Sequence, residues 1–180
     1  MYTDRQDKVA FLDRDGVINE TPGGHGYVTA WEQFRFIDGA LDALRTLKGK
    51  GYRLVVITNQ QGVGKGLMDI GALETIHRNL RACCARHGAA IDGVFSCPHR
   101  ASDGCNCRKP RPGLIHQAIR ELGLDLDLAR SWLTGESPRD MEAGAAAGLN
   151  TLFIAPIADS ALHPAASAVA PSLADAVKLL

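Results

Sequence analysis

Short apolar runs that stop abruptly at polar residues recur along this chain, and helical patterns separate them. Val9-Ala-Phe-Leu12 breaks off at Asp13-Arg-Asp-Gly16, and Leu54-Val-Val-Ile57 breaks off at Thr58-Asn-Gln-Gln61. Such runs are too short for a buried helix and lack the alternation of a half-exposed strand, so they read as strands covered on both faces. Ile91 to Ser96, Ser131 to Thr134 and Thr151 to Ile154 read the same way. Between them, Asp38 is the expected N-cap of a helix with an Ala40, Leu41, Leu44, Leu47 face that ends near Gly49 to Gly51. Apolar residues at helical spacing predict a second helix from about Asp69 to His87, Pro112 opens a third that runs to Leu122, and Pro138 to Ala147 forms a fourth. Alternation of this kind predicts an α/β fold: a Rossmann-like, doubly wound parallel sheet with its ligand site at the carboxyl ends of the strands.

The rest of the chain is fitted around that frame. Val17 to Phe36 is Gly-rich and aromatic without periodicity, so it reads as an irregular excursion over the first strand end. Residues 155–180 read as an Ala/Pro/Ser-rich connector followed by a short closing helix, Leu173 to Leu180. With 180 residues, 46% apolar and 22% charged, the chain is expected to fold as a single domain over 1–180, with no stretch large enough for a separate cap domain. Twenty basic residues balance twenty acidic ones, which removes any general attraction to nucleic acid or an anionic membrane. No run approaches the about eighteen apolar residues of a membrane span, and the polar N-terminus lacks a signal-peptide core. A cytoplasmic monomer is the expectation.

Asp13 and Asp15 stand two residues apart where the first strand ends. An isolated acidic pair means little, and Asp125-Leu-Asp127 reads as solvated loop. The first pair differs in its company: Thr58 at the second strand end, Lys109 before a helix, and Glu136 and Asp140 after the fourth strand. This ordered set resembles the haloacid dehalogenase-like superfamily of phosphohydrolases across nearly the whole chain. The resemblance implies that Asp13 is the nucleophile that becomes an aspartyl phosphate, and that Asp15 protonates the leaving oxygen and later activates water. It also implies that Thr58, the Asn59 amide and Lys109 hold the phosphoryl oxygens. Mg2+ is the implied catalytic cofactor, held by the Asp13 carboxylate, the Asp15 carbonyl and Glu136, with Asp140 compensating or orienting Lys109 from behind. The superfamily's last motif usually begins Gly-Asp. Here it is Gly135-Glu136-Ser-Pro-Arg-Asp140, and the extra methylene moves the carboxylate by more than about an ångström, against an ion of strict geometry.

Cys97, His99, Cys105 and Cys107 lie within eleven residues and form a complete Cys3His set. That set suits a closed, structural, tetrahedral Zn2+ that stiffens the loop 97–107 leading to Arg108 and Lys109. Free cysteines and a nucleic-acid-binding finger are the weaker readings, because four ligands seldom cluster by chance and no helix carries the partner ligands. Gly62-Val-Gly64-Lys65-Gly66 lacks the spacing and the hydroxyl of a nucleotide-binding P-loop. Trp31, Trp132, His77, His87 and His116 read as packing or solvated positions, and Cys83 and Cys84 need no role.

Two capless, zinc-bearing subfamilies are similar. The chain most resembles the D-glycero-D-manno-heptose 1,7-bisphosphate 7-phosphatases, through Asp13 to Asn19, His25-Gly-Tyr-Val28, Phe34 to Gly39, Thr58 to Gly62 and Cys97 to Pro110. The histidinol-phosphate phosphatases share Thr-Asn-Gln and the zinc loop, so they are the alternative along with other small sugar-phosphate phosphatases. By resemblance, His25, Gly26 and Tyr27 meet sugar hydroxyls, Asn59, Gln60 and Gln61 also face substrate, and the Arg108 fork takes a second phosphate. The implied partner is a small phosphorylated sugar. A rival of another class, a protein that binds a phosphorylated ligand without hydrolysing it, would follow if Glu136 prevented productive Mg2+ coordination.

Overall fold

The computed structural model describes residues 6–24, 26–156 and 164–180. Its centre is a six-stranded, all-parallel sheet in the order β3-β2-β1-β4-β5-β6, built from β1 (Val9–Leu12), β2 (Arg53–Asn59), β3 (Gly93–Cys97), β4 (Trp132–Gly135), β5 (Asn150–Ile154) and β6 (Ala168–Ala170). β1 and β2 are buried runs, as their lack of alternation predicts. Helices α1 (Ala40–Gly49) and α2 (Ile70–Arg86) pack on one face with the short α5 (Leu173–Ala176), where Leu44, Leu47, Leu73, Ile76 and Leu80 meet Ala10, Leu12, Leu54 and Val56. α3 (Gly113–Leu122) and α4 (Pro138–Ala146) cover the other face, where Leu114, Ile115, Ala118 and Ala143 meet Val9, Phe11, Val55 and Ile57. Adjacent strand residues thus feed two separate cores, which is why Val9 to Leu12 and Leu54 to Ile57 carry no polar side chain. The order reverses between β1 and β4, so the connections that leave those two strands run to opposite faces of the sheet and open the crevice of a doubly wound fold between them.

Three expectations are corrected. Asp38 does not cap α1: the N-cap is Gly39, in left-handed conformation at φ 78°, and no side chain caps that end. The segment read as a plain connector contains β6, and α5 stops at Ala176 instead of continuing to Leu180. β6 is three residues, Ala-Val-Ala, among serine and proline, too short and too small-sided to carry a strand signal. Asp69 does cap α2, accepting from the Ala72 amide at 2.7 Å. No helix among the described residues is long and apolar enough to cross a membrane.

α4 lies close to the sheet because Gly144 has no side chain. A Cβ there would come within 2.6 Å of Thr151 Cγ2 and 3.0 Å of Leu133 Cβ. In a free helix Gly→Ala gains about 0.5–1 kcal/mol. Overpacking costs about 1–3 kcal/mol, so here the sign reverses. Gly144→Ala is expected to lower the unfolding free energy by about 1–2 kcal/mol in a urea titration, with an unchanged m-value.

Candidate active site

The end of β1 turns back on itself at once. The Arg14 carbonyl accepts from the Ile18 and Asn19 amides at 2.9 and 3.1 Å, which brings Asp13 and Asp15 to the mouth of the crevice. The Arg14 amide donates to Asp13 Oδ1 at 2.8 Å, and Lys109 Nζ reaches the same oxygen at 2.9 Å. Lys109 is 3% exposed; it also pairs with Asp140 Oδ1 at 2.6 Å and donates to the Ile57 carbonyl at 2.9 Å. All three ammonium hydrogens therefore have a partner. Burial works against the lysine charge, but Asp13 and Asp140 outweigh it and hold the Lys109 pKa above its usual value. Burial pushes the Asp13 carboxyl up to about 7; Lys109 opposes that rise, and Asp140 and Asp15 add to it.

Asp140 serves two structures. Its Oδ2 accepts from the Ser137 amide at 3.0 Å and the Ser137 hydroxyl at 2.7 Å, closing a capping box on α4, while its other oxygen holds Lys109. The residue predicted to orient the lysine thus lies behind it, fully buried. On the other side, Asn59 uses its side chain on Lys109's backbone, donating from Nδ2 to the carbonyl at 3.1 Å and accepting the amide at Oδ1, also at 3.1 Å.

A cavity of about 280 Å3 opens here, lined among others by Asp13, Asp15, Thr58, Arg108, Lys109 and Glu136. Gly26, Tyr27, Asn59 and Gln61 also border it. Gln60 does not: it is buried, and its amide donates to Asp15 Oδ2 at 2.7 Å and to Thr58 Oγ1 at 2.9 Å. Gln61 donates to the Tyr27 hydroxyl at 2.8 Å, and Lys65 Nζ reaches the same hydroxyl at 3.0 Å. Arg108 leans toward Gln61 Oε1 at 3.4 Å, so Tyr27, Gln61 and Arg108 form one rim. His25 lies outside the described residues. The sequence reading passed over Thr21, Lys65, Ser137 and Arg139, all at or beside this cavity; only Arg139, within the last motif, had a readable signal in its charge.

Glu136 approaches the first strand end closely. A Cβ on Gly16 would run into its carboxylate, so the longer side chain spans from β4 to the Asp15–Gly16 backbone. Asp13, Asp15, Glu136 and Asp140 then put four carboxylates around one crevice, with Lys109 as the buried cation between two of them. A set of hard oxygen donors of this kind, gathered around a buried Asp13 carboxyl, fits a divalent cation such as Mg2+.

The four thiol and imidazole groups of the 97–107 loop also converge. Their ligand atoms all lie within 4.8 Å of one another: Cys107 Sγ is 3.1 Å from Cys97 Sγ, 3.5 Å from Cys105 Sγ and 3.2 Å from His99 Nδ1. Tetrahedral Zn2+ with bonds of about 2.3 Å to sulfur has edges of about 3.8 Å, so the cluster can hold a metal with little movement. Burial raises the Cys105 thiol, but hydrogen bonds from Cys107 and Cys97 outweigh it and bring the pKa down to about 7, toward the thiolate a metal requires.

Comparisons with known proteins identify the family and the fold. The model of the haloacid dehalogenase-like hydrolases matches residues 3–148. The D-glycero-beta-D-manno-heptose-1,7-bisphosphate 7-phosphatase of Pasteurella multocida is 38% identical over 96% of each chain. The D-glycero-alpha-D-manno-heptose-1,7-bisphosphate 7-phosphatase of Mycobacterium bovis is 46% identical over 73% of this chain and 68% of its own. Among solved structures, the D,D-heptose 1,7-bisphosphate phosphatase of B. bronchiseptica, complexed with magnesium and phosphate, superposes with a TM-score of 0.84 at 32% identity, covering 96% of this chain and 97% of that one.

Gly16 has φ +77°, a conformation that costs an L-residue about 1–2 kcal/mol. Gly16→Ala should therefore lose about that much stability, while the new methyl displaces the Glu136 carboxylate. The expected signature is a modest drop in thermal midpoint beside a much larger loss of metal-dependent activity.

Proposed function

The chain belongs to the haloacid dehalogenase-like hydrolase family, and from that membership we propose that it removes the 7-phosphate of D-glycero-D-manno-heptose 1,7-bisphosphate through an aspartyl phosphate on Asp13. The observation that carries the reading is the meeting of Asp13, Asp15, Thr58 and Lys109 around one crevice at the point where the strand order reverses. Residues 1–180 act in this reading as one catalytic domain whose loops do the work of a cap.

Phosphate monoesters resist attack because an anionic centre repels an anionic nucleophile, so the site must neutralise charge and hold the attacker in line. Asp13 is held by two donors on Oδ1, which fixes its rotation. Its carboxylate forms the new bond to phosphorus as the bond to the sugar oxygen breaks, and Asp15 gives that oxygen its proton. Asp15 then takes a proton from the water that opens the aspartyl phosphate, returning Asp13 and releasing inorganic phosphate. Lys109 stays charged throughout and, with Thr58, holds the phosphoryl oxygens. Asp13, the Asp15 carbonyl and Glu136 would hold Mg2+, which supplies further positive charge at the transferring group. Arg108, at the rim with Gln61 and Tyr27, would take the phosphate that does not react, with Gly26, Asn59 and Gln61 beside the sugar and Gln60 behind Asp15. Cys97, His99, Cys105 and Cys107 would hold a structural Zn2+ that fixes the path of the chain into Arg108 and Lys109.

Glu136 favours catalysis over mere binding, because its carboxylate reaches the backbone beside Asp15 in spite of the added methylene. The names of the relatives favour the heptose substrate over histidinol phosphate, and they divide between the two anomers. Phosphate release from both heptose anomers and from histidinol phosphate, with and without Mg2+, tests the reading. Release should require Mg2+, stop at one phosphate per heptose, and fall by about a thousandfold or more in Asp13→Asn. Release from histidinol phosphate alone would move the chain to the other subfamily, and none from any substrate would favour the binding protein.

Two metal predictions follow from the same residues. Glu136→Asp pulls the carboxylate back from the first strand end and should raise the Mg2+ concentration needed for half-maximal rate, with Glu136→Gln more severe because the charge is gone. Elemental analysis should find about one zinc per chain, lost together with stability in Cys105→Ser; a zinc-free protein of equal stability refutes the structural site.

A further inference from the structure

Among the described residues Arg14 is the largest fully buried side chain, a guanidinium at 0% exposure. Removing such a charge from water is costly unless its donors are matched. Each of its three nitrogens has a partner. Nε and Nη2 reach Asp15 Oδ1 at 3.2 and 2.9 Å, and Nη2 also reaches Oδ2 at 3.0 Å, so the flat fork meets both carboxylate oxygens. Nη1 points the other way, to His77 Nε2 on α2 at 3.2 Å. Because a guanidinium can only donate, Nε2 of His77 must accept, which fixes the neutral ring with its proton on Nδ1. Burial and the Arg14 charge depress the His77 pKa to about 3, in keeping with that tautomer. His77, which by sequence reads as a packing or solvated residue, is thus tied by a single intermediate side chain to the residue in the acid/base position.

We propose that Arg14 and His77 are positioning residues for the acid/base carboxylate of Asp15: His77 sets the rotation of the Arg14 fork, and the fork sets the plane of the carboxylate. Asn19 Nδ2 donates to Asp15 Oδ1 at 2.9 Å and Gln60 Nε2 to Oδ2 at 2.7 Å, so two neutral amides share the task, and the Arg14 fork is the charged, two-pronged member of the set. A carboxyl group turned out of line cannot hand its proton to the leaving oxygen, so the defect appears only where that proton is needed. This inference rests on the proposed role of Asp15 and adds to it what holds that residue in place.

The experiment compares kcat/KM for the heptose bisphosphate, whose sugar oxygen must be protonated to leave, with kcat/KM for p-nitrophenyl phosphate, whose leaving group departs without a proton. Both report the steps up to formation of the aspartyl phosphate. His77 borders a cavity of about 510 Å3, so His77→Leu can be accommodated without opening the packed core. His77→Leu should lower the sugar bisphosphate value by about tenfold and the aryl value by less than about twofold, with Arg14→Lys showing the same selectivity more strongly. His77→Gln, whose amide oxygen can accept from Arg14, should recover most of the loss. Equal losses with both substrates, or none, overturn the proposal. Asp15→Asn is the control: if it too fails to discriminate between the substrates, the assignment of Asp15 falls and the proposal falls with it. If Asp15→Asn discriminates and His77→Leu does not, only the positioning role is refuted.

Discussion

A single buried ammonium organises this molecule. Lys109 Nζ sits at the ends of β1 and β2 and the start of α4, held by Asp13, the Ile57 carbonyl and Asp140. Each partner comes from a different element, the end of β1, β2 and α4, so the lysine can be satisfied only when the three are assembled. The pairing is also unequal in charge: the one ammonium lies between the two carboxylates of Asp13 and Asp140. The carboxylate oxygens gathered at this crevice are hard donors, and they prepare it for a cation and, through it, for a phosphoryl group.

Much of this was legible in the residues. β1 and β2 declared themselves because strands buried on both faces cannot hide a polar side chain, and their ends were marked by the first residues that break that rule, Asp13 and Thr58. The Cys97, His99, Cys105, Cys107 set was equally plain, since four metal-binding groups so close in sequence are brought together by almost any loop. What escaped notice depends on distance across the fold. β6 gave no pattern because its side chains are small, and the capping of α1 by Gly39 instead of Asp38 is a matter of one φ angle. The two sides of Asn59 and Gln60, one holding Lys109's backbone and the other holding Asp15, follow from the pleat of β2 and the turn after it, which no spacing rule supplies.

Supports of this second kind are numerous, and they share a form. Asp140 closes the first turn of α4 with the same carboxylate that holds the lysine, and Asn59 grips the lysine's backbone with both ends of its amide. The loop that carries the metal-binding cluster leads directly into Arg108 and Lys109. Residues that react are therefore clamped by residues that already have a structural task, so little freedom remains to be lost when a substrate arrives.

The span of the lysine's contacts also bears on the order in which the chain can fold. Lys109 Nζ meets a carbonyl 52 residues earlier in sequence, and its backbone meets a side chain 50 residues earlier. Contacts that close long loops form late, because their entropic cost precedes their reward. β1 and β2 can pair and bury Leu12 and Val56 against α1 while the lysine is still in water. A nascent or partly unfolded chain would then have much of its hydrophobic core and none of its crevice, so the capacity to bind phosphate would arrive with the last step of assembly and be the first thing lost when the structure loosens.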